Sequence, residues 1–250
     1  MLEHTTPSLQ ILIQVATAAG GFRPVHEDGV VLDPATGSCA VIDGGGARGD
    51  LATALIQRDY AGVLAGLLSA ADLAPELAVA RCLERLSALL QQANRSDPRM
   101  AGSGAAVTAL LVHDDHAHIA HCGDTRAYLL REFTLSQLTT DDTMVAELVA
   151  SGEIQPHEAA DHPYANIVTQ VLGFSDEIQV HALEQPLLPG DVVLLCTDGL
   201  WRALPAVELE DLMLGPVDSL HTALIDRAVE LGTDNVAVIV AQVNSLAAAE

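Results

Sequence analysis

The sequence predicts an α+β sandwich, in which antiparallel sheets carry helices on their outer faces. Three observations predict it. Apolar, β-branched runs follow one another in groups, and helical spacing comes in neighbouring pairs, so the order is not the strand-helix alternation of a parallel sheet. Half of the 250 residues are hydrophobic, enough for a sizeable core. Only 3% are aromatic, so that core is aliphatic.

In order along the chain, "LQILIQVATA" (9–18) is partly alternating and β-branched, a strand. "GVVL" and "SCAVID" form a hairpin around the turn Asp33-Pro34-Ala35-Thr36-Gly37. Residues 48–69 and 74–95 have helical apolar spacing and predict two consecutive helices broken near Asp72 to Pro75. "AAVTALLV", "HAHIAHC" and "RAYLLRE" predict three strands, with Asp114-Asp115 and Gly123-Asp124-Thr125 as turns between them. Residues 139–165 are polar, with one short amphipathic helix, and have the character of a surface flap. Strands resume at "NIVTQVLG", "EIQVHAL" and "DVVLLCTDG"; helices follow near 205–214 and 217–231, then a last strand, "NVAVIVAQV". No linker-like stretch divides the chain, so one domain over 1–250 is expected.

Net charge is −23, from 34 acidic residues against 11 basic ones, every one of them arginine. Such a surface repels phosphate backbones and anionic membranes, which excludes nucleic acid and lipid as expected partners. No apolar run reaches the length of a membrane span, and no basic-then-apolar leader marks a signal peptide. Cys39, Cys82, Cys122 and Cys196 are widely spaced without a CxxC pair, which fits buried thiols in a reducing cytoplasm.

Four aspartates share one context. Asp43 follows "CAVI" and precedes Gly44; Asp198 follows "VVLLCT" and precedes Gly199; Asp124 follows "HIAHCG"; Asp234 precedes Asn235 and the last strand. Glu27 and Asp28 lie at a similar strand edge. A single Asp-Gly at a strand end is an ordinary turn. Six carboxylates at strand tips, if gathered, would repel unless cations joined them. Oxygen donors without His or Cys suit Mg²⁺ or Mn²⁺, and a pair of such ions activates water for attack on phosphorus.

Seven short motifs in order over roughly 8–243 resemble those of the metal-dependent protein phosphatases, the type 2C serine/threonine phosphatases, in their bacterial form. "FRPVHEDG" is similar to the family's Arg-x-x-x-Glu-Asp, "AVIDGGG" to Val-x-Asp-Gly-x-Gly, and "AHCGDTRAYLL" to Gly-Asp-Ser-Arg. "LTTDD", "NIVTQVLG", "LLCTDGLW" and "TDNVAVIV" resemble the later ones. The resemblance implies a four-layer αββα sandwich, two antiparallel sheets flanked by helix pairs. It implies hydrolysis of phosphoserine and phosphothreonine in proteins by a hydroxide bridging two Mn²⁺ or Mg²⁺ ions. Asp43 would bridge the ions, the Gly44 carbonyl would bind one, Asp198 and Asp234 would complete the second, and Glu27 and Asp28 would hold coordinated waters. Arg23 would clamp the substrate phosphate, and Asp124 with Asp198 would hold a third, looser ion. Phosphorylated proteins, an opposing Ser/Thr kinase and a monomeric, cytoplasmic state are the implied setting.

Some positions depart from the family pattern. His26 replaces a frequent Asn, Gly104-Ala105-Ala106 a Gly-Ser/Thr-Thr, Asp142 the flap His, and Gly46-Ala47-Arg48 a Gly-Gly-His. Gly45 stands where some members carry a proposed general-acid His, so a water takes that role. No metal ligand is lost, which disfavours the alternative, a non-catalytic relative that binds a partner or phosphopeptide. His113, His116, His118 and His121 are expected on turns and strand surface, and "GGGARG" (44–49) is a weaker candidate for an anion cradle.

Overall fold

The computed structural model describes residues 1–6, 9–21, 25–69, 73–175, 177–232 and 234–246. Two antiparallel sheets face each other. One has the order β1-β2-β11-β10-β7-β8, built from Leu2–Thr5, Leu9–Ala18, Val236–Ser245, Val192–Cys196, Arg126–Arg131 and Thr134–Gln137. The other has the order β3-β4-β5-β6-β9, from Asp28–Asp33, Ser38–Gly46, Ser103–His113, His116–Cys122 and His181–Pro186. Helices α1 (Gly49–Leu68) and α2 (Pro75–Ser96) cover the second sheet. Three helices, α4 (Asp198–Trp201), α5 (Ala206–Met213) and α6 (Val217–Leu231), cover the first.

Alternation builds the layers. In β4, Cys39 and Val41 enter the core between the sheets, while Ala40 and Ile42 pack beneath α1 and α2. In β11, Ile239, Ala241 and Val243 face the other sheet, while Val236, Val238 and Val240 face the helices. Both faces are covered, so these strands are continuous apolar runs, and successive side chains still point to opposite cores. The expected four-layer sandwich is what the chain forms. All four cysteines are buried thiols, each pushed up to about 12 by burial.

Several expectations need correction. "NIVTQVLG" is not a strand: residues 166–173 form an irregular segment with only two isolated bridges, Val168 to Thr143 and Leu172 to Ala105. Gly123-Asp124-Thr125 is not a hairpin turn, because β6 and β7 belong to different sheets and the chain crosses between them there. Asp114-Asp115 is a hairpin turn, both residues having positive φ. "EIQVHAL" becomes strand only from His181. His118 and His121 are buried, not on the surface; His121 bonds the Thr108 hydroxyl and the Thr140 carbonyl. The flap holds the expected short helix, α3 (Met144–Ser151), capped by Thr143.

The end of the sandwich away from the strand-tip carboxylates has its own buried charge. Asp191, 2% exposed, takes both nitrogens of the Arg131 fork at 2.8 and 2.6 Å and the Leu188 N–H at 2.8 Å. Asp191→Ala strands these donors. With Arg131 about a third exposed, the cost is about 2 kcal/mol, a fall of roughly 4–8 °C in melting temperature. Calorimetry checks this, with turnover per folded molecule expected to stay unchanged.

Candidate metal centre

Strand pairing makes the centre. Asp28 and Asp43 are directly opposed in the β3–β4 ladder, so their side chains emerge on one face. β10 ends at Cys196, and Thr197 leads into α4, whose first residue is Asp198. The Thr197 hydroxyl donates to Asp28 at 2.6 Å and so ties the two sheets together beside the cluster.

Two glycines let backbones close on each other. A Cβ on Gly199 would come within 1.8 Å of the Asn235 carbonyl oxygen. This contact brings Asp198 next to Asp234. A Cβ on Gly44 would meet the Gly49 carbonyl oxygen at 2.3 Å, which seats the start of α1 on the end of β4. These glycines serve close approach, not turn geometry. Glu27 completes the frame. Its N–H donates to the Asn235 side chain at 2.8 Å, and its carboxylate accepts the Gly49 N–H at 3.1 Å. A carboxylate thus already caps the start of α1, which removes "GGGARG" as an anion cradle.

Glu27, Asp43, Gly44, Asp124, Asp198 and Asp234 all line one cavity of about 560 Å³. Asp28 acts on it from below. The Asp43 carboxyl is held well above the usual carboxylate range, first by burial and then by the charges of Asp198, Asp28 and Asp124; a hydrogen bond with Asp198 adds to this. Burial, then the charge of Asp198, lifts Asp124 to about 6, with Arg202 pulling the other way. Carboxylates this close cannot all be ionised without a cation among them. Such a set of hard oxygen donors suits divalent ions.

Among the described residues, no three acidic, His or Cys groups already surround a single point. The carboxylates are turned to other donors. Asp28 takes Thr197, Glu27 takes Gly49, Asp234 takes the Asn235 N–H at 2.8 Å, and Asp124 and Asp198 share Arg202. Glu27, Asp43, Asp124, Asp198 and Asp234 are therefore gathered in one cavity but, among the described residues, not preset around a point.

Sequence reasoning placed Asp43, Gly44, Asp198, Asp234, Glu27, Asp28 and Asp124 together, and the structure brings them together. Arg23 lies outside the described residues. Arg202 and Trp201 were missed. Arg202 reaches Asp124 at 3.0 Å and Asp198 at 2.8 Å. Trp201 donates its indole N–H to the Asp124 carbonyl at 2.9 Å, and the Arg126 guanidinium lies 3.5 Å from its ring centroid. The available signal was a cation four residues after Asp198 in a chain so poor in cations.

Two antiparallel sheets lie between helix layers, with carboxylates gathered at their shared end, a set of oxygen donors suited to divalent cations. Residues 61–147 match the family model "Protein phosphatase 2C", and the chain is related to the type 2C phosphatases. It is 37% identical over 118 residues to the serine/threonine phosphatase stp of Listeria welshimeri, covering 47% of this chain and 47% of that one. It is 33% identical over 234 residues to the serine/threonine protein phosphatase PstP of Mycobacterium tuberculosis, covering 90% of this chain and 43% of that one. The matches thus span about half the length of these curated relatives. Among solved structures, the catalytic domain of serine threonine protein phosphatase PstP, in complex with two manganese ions, superposes with a TM-score of 0.81. That pair is 27% identical and covers 94% of this chain and 99% of the other.

Proposed function

We propose that this chain, as one catalytic unit over 1–250, removes phosphate from phosphoserine and phosphothreonine in proteins by metal-dependent hydrolysis. One observation carries this reading most directly. Asp43 is buried among Asp198, Asp28 and Asp124 at one end of the cavity, a crowding of carboxylates that divalent cations would relieve. Asp43, the Gly44 carbonyl, Asp198 and Asp234 would hold two Mn²⁺ or Mg²⁺ ions, with Glu27 and Asp28 bonding waters around them. The ions would supply Lewis acidity and an activated water.

The chain's own residues then have distinct tasks. The β3–β4 ladder and the Thr197 bond keep Asp28 and Asp43 at a fixed separation. The Gly199–Asn235 contact keeps Asp198 and Asp234 in one loop pair. Val168, Val171 and Phe174 form an apolar part of the cavity's lining. Arg23, four residues before Glu27, is proposed as the phosphate clamp, since its planar fork suits a phosphate bidentately. The four reduced, buried thiols favour a cytoplasmic setting, and the counterpart enzyme would be a Ser/Thr kinase. No helix among the described residues is long and apolar enough to cross a membrane. A monomer is the proposed state.

The test is turnover of p-nitrophenyl phosphate and a phosphothreonine peptide with Mn²⁺, Mg²⁺ or EDTA. Turnover with metal and none with EDTA is expected. Mn²⁺ binding without turnover of either substrate would favour a non-catalytic binding protein. Turnover in EDTA would overturn the metal assignment.

A further inference from the structure

Arg202 lines the cavity at the point where Asp124 and Asp198 approach each other. The carboxylates come from distant parts of the chain, the β6–β7 crossover and the first turn of α4, and their side chains are 5% and 18% exposed. Two like charges so placed need a positive partner. The guanidinium provides it with every nitrogen engaged: Nη2 to Asp124 at 3.0 Å, Nε to Asp198 at 2.8 Å, and Nη1 to the Asn166 side chain.

The group is also held from the side. Its carbon lies 4.7 Å from the Trp201 ring centroid. Trp201 is fixed in turn by its bond to the Asp124 carbonyl and by Arg126, which is itself bidentate on Asp141 at 2.9 and 2.7 Å. A surface ion pair would leave its cation free to swing into water. Here the cation, still partly exposed, is in contact with two acids, an amide and an indole. Its contacts reach Oδ2 of both aspartates.

We propose that Arg202 is a built-in cation occupying the place between Asp124 and Asp198, so that no divalent ion binds there while Arg202 is present. Arg202 is then a positioning residue. It neutralises Asp124 and fixes the carboxylate of Asp198. Through Asn166 it also ties the segment after the flap to the ligand carboxylates. For the core ions this inference rests on the phosphatase reading above. It differs from the sequence-level expectation that Asp124 holds a third ion.

The experiment is Mn²⁺ titration by calorimetry, with bound metal counted after gel filtration, on five proteins: wild type, Asp124→Asn, Arg202→Lys, Arg202→Gln and Arg202→Gln/Asp124→Asn. Arg202→Gln should bind one more Mn²⁺ than wild type. Arg202→Lys should match wild type, and the double variant should lose the extra ion. Asp124→Asn alone should leave the wild-type count unchanged, and this arm stands even where Arg202→Gln fails to fold. An unchanged count in folded Arg202→Gln, or one ion fewer in Asp124→Asn, would overturn the proposal. The two readings separate cleanly, because the wild type's own count tests the metal centre, whereas the difference between variants tests Arg202.

Discussion

Asp43→Asn is expected to abolish turnover and, in metal-free protein, to raise the melting temperature. The two effects have one cause. Asp43 is lifted by burial and by three acidic neighbours. With a folded value raised well above 3.8, the native state binds more protons than the unfolded chain over the pH window that opens above that value. Stability present below that window is therefore lost as pH rises through it. The amide keeps the shape and removes the charge, so the metal-free variant should show a flatter pH–stability curve. Lewis-acid stabilisation is worth several kcal/mol, and each ~1.4 kcal/mol is tenfold in rate, so turnover with Mn²⁺ should fall by at least about 10³-fold. Thermal scans in EDTA between pH 4 and 8, beside Mn²⁺ kinetics, check both. A variant with wild-type turnover, or one less stable than wild type in EDTA at neutral pH, would show that Asp43 does not play this part.

Gly199→Ala is expected to damage the centre without touching any ligand. Its Cβ would lie 1.8 Å from the Asn235 carbonyl oxygen, and the obstacle is backbone, which cannot rotate away. The loops bearing Asp198 and Asp234 must part. Overpacking of this kind costs about 3 kcal/mol, a fall of roughly 6–12 °C for a chain of this size. Because the separation acts on two proposed ligands at once, Mn²⁺ affinity should fall more steeply than stability does. Titration calorimetry on the folded variant, at a temperature well below its transition, tells the two losses apart. Wild-type Mn²⁺ affinity would mean that the two loops do not share an ion.

These expectations depend on how much the sequence already contained. The layers were legible because strands such as 236–245 are apolar on both faces, and the helix pair 49–68 and 75–96 has long amphipathic runs. Edge strands were not: β1 and β8 are four residues each, too short for a period to register. "NIVTQVLG" has strand composition, yet its backbone pairs only at Val168 and Leu172, because it wraps the rim of the cavity and bonds the Asp142 carbonyl through the Thr169 N–H. The crossing at Gly123-Asp124-Thr125 looked like a hairpin, since local sequence does not say which sheet a following strand joins. The carboxylates were visible because each lies in or beside a strand, most of them next to a glycine or asparagine. Arg202 was not, because its meaning lies in Asp124, 78 positions away.

Trp201 is the only tryptophan in the chain, and it sits against Arg202 with its indole N–H on Asp124. The whole of the protein's tryptophan emission therefore originates at the wall of the acidic cavity. A paramagnetic ion arriving nearby, or a guanidinium leaving the ring, acts on that one fluorophore with no background from elsewhere. The molecule carries its own optical gauge of the centre, and stopped-flow emission can follow ion entry in unlabelled, unmodified protein.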